Sequence, residues 1–366
     1  MKRVGGLWPE IVSFSNLFAA AQRAAAGKRT RPDVAAFFLD LESGLWALQR
    51  ELSGASYVPG EYRTFQILDP KPRQIPAAPF RDRVVHHALT GVLEPIFERR
   101  FSPHSYACRT GRGAHAALAL ARQGVARFRY CLRCDIRKYF ASIDHRILNA
   151  RLARVIKCRP TLALATTIVA GSNRQEEPAA GAYFPGDDLF SPFERRRGLP
   201  LGNQTSQFFA NVYLDPLDQF MDRQCHPAIH ARYVDDWVLF DDSKERLTAL
   251  RASLTEQLAA LRLRLHPGKS RVYRCSDGIS FLGWRLFPGY ARLPRENVVR
   301  TQRRLRRLQD QFAAGEIPWE RVRQSVTAWL AHAAYGDTAF LRETMLSRYP
   351  FRAAGVEPNR AGRRVQ

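Results

Sequence analysis

The chain has 366 residues, 45% of them hydrophobic, with 57 Lys and Arg against 34 Asp and Glu and a net charge of +23. That composition excludes a disordered chain, and the length excludes one simple core in favour of two or three subdomains. The charge favours a polyanionic partner over a membrane, and the longest weakly polar runs, such as 162–171, are too short to cross a bilayer. The first residues, MKRVGGLWPEIVSF, lack the apolar stretch of a secretory signal.

In chain order, residues 7–58 carry helical spacing, with Phe37, Phe38, Leu41, Leu45 and Leu48 on roughly one face. The proline-rich, basic segment FQILDPKPRQIPAAPF (65–80) is expected to be extended. Residues 81–101 form a predicted helix with Val84, Val85, Leu89, Val92, Leu93 and Ile96 as its apolar stripe, and 115–123 form another. YCLRCDI (130–136) reads as a strand and 144–171 as helical. Residues 171–198 are a polar, Gly/Pro-rich insertion. Residues 199–221 turn and enter a long helix, IHARYV and WVLF make a hairpin, and 243–263 are amphipathic. ISFLGWRL (279–286) reads as one strand, and 296–349 are helical again. This order suits an antiparallel sheet with helices on one face, an α+β architecture.

Six cysteines are scattered through the chain. Cys131 and Cys134 make one CxxC with no second pair at zinc spacing. They read as structural thiols in a reducing, cytoplasmic setting.

The stretch RYVDDWVLF (232–240) places Asp235 and Asp236 at the tip of the predicted hairpin. Adjacent carboxylates repel, and each raises the other's pKa unless a cation intervenes. A solvated turn is the ordinary explanation for such a pair. Asp187 and Asp188, in the insertion, have no strands around them and keep that explanation. Asp235 and Asp236 differ, because their flanks are aromatic and β-branched and because Asp135 ends a second predicted strand in RCDIRKYFASIDH. Strands paired in one sheet would gather three carboxylates. Such a set suits two magnesium ions acting on a phosphoryl transfer, and the basic surround suits a nucleic acid.

In order, these segments resemble the reverse transcriptases over roughly residues 60–290. RYVDDWVLF resembles that family's YxDD box, and RCDIRKYFASIDH its first catalytic-aspartate box. GLPLGNQTSQFFANVYLDPLD resembles its fourth block, and ISFLGW its primer-grip strand. The resemblance implies a right-hand polymerase fold. It would comprise an N-terminal helical extension (1–59), fingers (60–130), a palm with an antiparallel sheet (131–290, insertion 171–198), a helical thumb (291–350) and a disordered tail (351–366).

It also implies roles. Asp135 and Asp235 would ligate two Mg2+ ions with the backbone carbonyl of Ile136, and Asp236 would complete the cluster. Phe140 would be the steric gate against a ribose 2′-hydroxyl, where core packing is the plainer role. Lys71 and Arg73 would hold the incoming triphosphate of a dNTP, unless they form a solvated basic loop. Lys269, otherwise a surface lysine, would reach the leaving pyrophosphate.

The fourth block departs from the GxPQGxxxSP usual in group II intron and retron enzymes. Leu201 stands where Gln is usual, and Gln207 where Pro is usual. The form LPxGNxTSQxxANxYLxxLD, with YFPGDDLFSPFERRRGLP before it, resembles the reverse transcriptases of diversity-generating retroelements. That group copies a template-repeat RNA, misreads its adenines and works with a small, basic accessory protein. Leu201 cannot hydrogen-bond an incoming nucleotide as Gln can, so it is expected to lower fidelity, or else only to pack the turn. A retron-like or phage-defence enzyme, or a catalytically silent RNA-binding module, are the competing readings.

Seven arginines lie between 292 and 307. Val298, Thr301, Leu305, Leu308 and Phe312 fall near one helical face. Arg300, Arg303, Arg304 and Arg307 are then expected to meet the backbone of an RNA–DNA duplex.

Overall fold

A computed structural model describes residues 2–67, 72–171 and 182–351, without the Arg73 side chain. Lys71, part of the insertion and nearly all of the expected tail lie outside these residues. The chain folds as two units, residues 1–117 with 132–272 and residues 118–131 with 273–366.

The first unit begins with helices α1 (Trp8–Ile11), α2 (Phe14–Ala25), α3 (Pro32–Leu39) and α4 (Leu41–Ser53). Leu45 and Leu48 are buried as expected, whereas Phe37 and Phe38 are partly exposed on a separate helix, because the chain breaks at Asp40. Strands β1 (Arg63–Ile67) and β2 (Arg73–Ala77) pair antiparallel in the segment expected to be extended. Helix α5 (Phe80–Glu98) follows, with Val84, Val85, Leu89 and Leu93 fully buried, and it packs against the small residues of α2.

Helix α6 (Ala114–Arg127) and strand β3 (Tyr130–Asp135) follow. Three short helices come next, α7 (Tyr139–Ser142), α8 (His145–Val155) and α9 (Arg159–Ala170). Asp144 caps α8 by accepting from the Ile147 amide at 3.0 Å. Within the insertion, Ser191–Glu194 form the single turn α10. Helix α11 (Gln204–Phe220) runs into a π-helical turn, Met221–Cys225. Strands β4 (Ile229–Tyr233) and β5 (Asp236–Asp241), helix α12 (Lys244–Ala260) and strand β6 (Arg271–Arg274) complete the sheet segments. The strands stand in the order β4-β5-β3-β6, with β4 and β5 antiparallel.

The hairpin differs from expectation in one respect. Tyr233 pairs with Asp236, so the two tip residues are Val234 and Asp235, and Asp236 opens β5. Val234 has φ 57°, a left-handed conformation that a β-branched residue rarely adopts. Cys131 and Cys134 are both buried. Three residues apart on a strand, they point to opposite faces and cannot share a metal.

In the second unit, ISFLGWRL is two strands rather than one, β7 (Ile279–Phe281) and β8 (Trp284–Phe287), which pair with β9 (Tyr290–Arg292) in the order β7-β8-β9. Leu282 and Gly283 turn the chain with φ 45° and 81°, the left-handed pair that tight hairpins need. Helices α13 (Arg295–Ala313), α14 (Trp319–Ala333) and α15 (Ala339–Arg348) follow. Leu305, Met345 and Tyr349 form their core with Val326, Trp329 and Leu341. Gly336 is required by packing, since a Cβ there would lie 2.2 Å from the Trp284 ring.

Candidate active site

Because β5 hydrogen-bonds to β3, the start of one strand meets the end of the other, and Asp235 and Asp236 come beside Asp135. Two cations face the three carboxylates. Lys269 Nζ donates to Asp135 Oδ2 at 2.5 Å, and Arg133 Nη2 lies 3.7 Å from Asp236 Oδ1. Burial, with Asp236 and Asp135 adding like charge, pushes the Asp235 carboxyl up to about 6. Burial raises Asp236 as well, against the pull of Arg133. The cluster thus keeps more negative charge than its own cations neutralise. Hard oxygen donors of one sign, partly desolvated, fit a divalent ion such as magnesium.

The framework under this cluster is Arg232, which is 1% exposed. Its guanidinium donates to both carboxylate oxygens of Asp218 on α11, Nε to Oδ1 at 2.7 Å and Nη2 to Oδ2 at 2.6 Å. Nη2 also donates to Ser105 Oγ at 2.7 Å, and Nη1 to Asn211 Oδ1 at 3.2 Å. Nη1 makes a further bond of 2.8 Å to the Val234 carbonyl. That last bond reaches the tip residue with the left-handed backbone. The buried ion pair therefore fixes the loop that presents Asp235. Arg232, Asp218 and Arg133 were not among the residues singled out from the sequence. The available signal was a charged residue at an inward position of a strand, which must find a partner when buried.

On the β3 side, the antiparallel bridge Ile136–Leu265 is framed by Arg137 N donating to Arg264 O and His266 N donating to Asp135 O. This pattern leaves the Ile136 carbonyl out of the ladder bonds, where a metal could use it. Ser270 Oγ lies 3.3 Å from both the amide nitrogen and the carbonyl oxygen of Asp135.

Phe140 sits on α7, half-buried against the Tyr139 ring at 5.5 Å. Its carbonyl accepts from the Leu199 amide at 2.9 Å, which joins the first aspartate segment to the fourth block. Leu201 is partly exposed in the turn before α11. At the next residue, Gly202, a Cβ would stand 3.6 Å from Ile75 of β2. Asn203 Nδ2 donates to Tyr62 Oη at 2.8 Å. Gln207 Oε1 accepts from Cys108 Sγ at 3.3 Å. The fourth block thus lies against the β1–β2 hairpin that carries Arg73. Lys269 stands on the Asp135 carboxylate itself, with its side chain 52% exposed. Arg300, Arg303, Arg304 and Arg307 are exposed on α13. That helix belongs to the second unit.

Asp187 departs from the solvated turn expected of it, whereas Asp188 is exposed in such a turn. The Asp187 side chain is inaccessible and pairs with Arg195 and with Arg262 at 3.3 Å, while Arg262 also reaches Asp144 at 2.6 Å. Asp188 Oδ1 accepts from Phe190 N and from Ser191 N and Oγ.

Comparison with known proteins places the chain in a family. The family described as reverse transcriptase (RNA-dependent DNA polymerase) matches residues 69–286. Protein YkfC of Escherichia coli K12 is 30% identical over 270 residues, 63% of this chain and 67% of that protein. The group II intron-encoded protein LtrA of Lactococcus lactis is 26% identical over 220 residues, 59% of this chain but 34% of that protein. Nuclear intron maturase 1 of Arabidopsis thaliana is 35% identical over 85 residues, 23% of this chain and 12% of that protein. This chain thus spans only a minor part of the two intron-related proteins. With a family match that covers more than half of its length, the chain belongs to the reverse transcriptase family and carries an RNA-dependent DNA polymerase domain.

Proposed function

We propose that this chain copies a template-repeat RNA into error-prone cDNA, as the enzymes of diversity-generating retroelements do. The observation that supports polymerisation is the surplus of buried negative charge at Asp135, Asp235 and Asp236 beside a basic chain. Two Mg2+ ions held by these carboxylates and the Ile136 carbonyl would supply Lewis-acid stabilisation of the attacking and leaving oxygens. The residues do the rest. Arg232 and Asp218 hold Asp235 in place. The Phe140 ring excludes a ribose 2′-hydroxyl. Arg73 and Lys71 bind the triphosphate of the dNTP. Lys269 exchanges Asp135 for the pyrophosphate as product leaves. Gln207 lines the nucleotide end of α11. The arginines of α13 hold the RNA–DNA duplex by its phosphates.

The diversity-generating assignment rests on the fourth block, with Leu201 in place of Gln and Gln207 in place of Pro. Leu201 offers no hydrogen bond to an incoming base, so discrimination there depends on pairing and shape alone. A small, basic accessory protein is the expected partner. Among the described residues, no helix is long and apolar enough to cross a membrane, and a cytoplasmic place fits this chemistry. A second reading, an enzyme that copies a different RNA without mutagenesis, is favoured by the likeness to intron-encoded proteins.

Primer extension separates these readings. A DNA primer is extended on an adenine-containing RNA with magnesium and dNTPs, with and without the accessory protein, and the products are sequenced. Loss of product in Asp235→Ala, with errors concentrated opposite adenine in the wild type, is the expected result. Product with evenly rare errors would leave the polymerase and remove the mutagenic role. Leu201→Gln is expected to reduce the errors, and an unchanged error spectrum would reduce Leu201 to a packing residue. No product under any condition would favour a silent RNA-binding module.

A further inference from the structure

Among the described residues, one group of three ligating side chains has its donor atoms within 4.8 Å of one another, and it is not the catalytic aspartates. It consists of His104, Asp222 and His230. His104 Nδ1 lies 3.0 Å from Asp222 Oδ1, and His230 Nε2 lies 3.2 Å from the same oxygen. The two imidazole rings are 4.1 Å apart between centroids. A tetrahedral zinc ion, with bonds of about 2.0–2.1 Å, spaces its donors by about 3.3 Å. Two donor pairs of this group already stand close to that spacing.

We propose that His104, Asp222 and His230 bind a divalent transition-metal ion of the zinc class, at a site separate from the polymerase centre. His230 sits on β4, three residues from the end of the strand, so roughly 10 Å of strand separates it from the catalytic tip.

A further observation supports a ligand here. His230 is 8% exposed, and its Nε2, 3.2 Å from Asp222 Oδ1, is not aligned for a hydrogen bond to it. A buried ring nitrogen without a partner is costly unless something satisfies it, and a metal would.

The three ligands are also well anchored. Asp222 lies in the π-helical turn that ends α11, a rare geometry that recurs at functional sites. The His104 segment is stitched to β4 from both sides. Arg232 N donates to His104 O, and Tyr106 N to Arg232 O, each at 2.9 Å. The His104 side chain is 39% exposed and that of Asp222 21%, which leaves an entry path and room for a water as fourth ligand. Bound there, the ion would join the 102–106 segment, the end of α11 and the base of the hairpin, two residues from Arg232. It would be a staple for the catalytic tip rather than a participant in the chemistry.

The test is zinc binding by the full chain in excess magnesium, so that the catalytic carboxylates are already supplied. The expected result is one zinc per chain and a higher melting temperature with zinc. His104→Gln and Asp222→Asn, checked for folding by circular dichroism, should each weaken zinc binding at least about tenfold and lose the thermal shift. Zinc that fails to bind in excess magnesium, or that binds both variants as well as the wild type, would overturn the proposal. Carbethoxylation of His104 in the wild type, read by mass spectrometry, supplies the same decision without mutation. Zinc protects His104 if it is a ligand, and leaves it reactive if the cluster is only hydrogen-bonded.

Discussion

Asp187–Asp188 and Asp235–Asp236 are one dipeptide in two opposite electrostatic settings. In the insertion, Arg195 and Arg262 surround Asp187, and a turn of backbone amides satisfies Asp188. Their carboxyls lie below the ordinary range, Asp187 held there first by its hydrogen bond from Arg195 and Asp188 by those from Ser191. At the hairpin tip the nearest cations are shared among three carboxylates, and both Asp235 and Asp236 are raised, chiefly by burial. The first pair stabilises the fold. The second costs the fold stability and keeps negative charge available for a divalent ion. What separates the two pairs is that one is left short of neutralisation, not that both are carboxylates.

The largest expected effect separates the two pairs at once. Asp235→Asn should lower primer extension by about 10³-fold or more, because a metal-holding carboxylate is gone. The same variant should be more stable than wild type at pH 7 by about 1 kcal/mol, once the shift is discounted for partial exposure. Thermal melts beside extension assays check both. An equal or lower melting temperature would contradict the raised Asp235 carboxyl.

The pH dependence follows with opposite signs. Asp235 titrates near 6 in the folded chain and near 4 when unfolded. Between those values the folded state holds a proton that the unfolded state has released. Its effect is therefore that stability falls as pH rises through about 4 to 6. Activity should rise with pH over that window, as the carboxylate ionises to take the metal. For Asp187 the folded value is depressed, so its stabilisation is present at neutral pH and is lost as the solution is acidified below the ordinary carboxylate range. Denaturation midpoints of Asp187→Asn and Asp235→Asn across about pH 2 to 8 should diverge in these directions.

Next in size is the support beneath the tip. Arg232→Met leaves Asp218 buried without its partner and should cost about 3–5 kcal/mol. It also frees the Val234 carbonyl. Extension at a temperature where the variant is still folded should fall, and unchanged activity there would remove Arg232 from the positioning of Asp235. Asp187→Asn should cost less, about 1–2 kcal/mol, since Arg262 is partly exposed, and should leave extension within about threefold of wild type.

The smallest effect concerns arginines that face solvent instead of a carboxylate. Arg303→Ala with Arg304→Ala should reduce the salt slope of duplex binding by about 2, with little effect on stability. An unchanged slope would remove these two from the duplex-binding surface.

Helix positions were legible wherever apolar residues recur at helical spacing, as in α5 and α12, because burial of one face is a local pattern. The one-strand reading of ISFLGWRL failed because its apolar residues run on across the turn. The turn at Leu282–Gly283 shows only in backbone angles. The three clustered aspartates were legible from their flanks and from their order along the chain. Arg232 was not, because its partners Ser105, Asn211 and Asp218 lie up to 127 residues away and only folding joins them.

The amino-acid order alone was enough for the α+β class, the basic character, the carboxylate trio and the family blocks, since each is carried by residue type, spacing or short-range pattern. Folding was needed to decide which Asp pair is neutralised, which residue takes the hairpin tip, and where His104 meets His230. Those outcomes depend on the local dielectric and on charges brought together from distant segments, which no local pattern encodes.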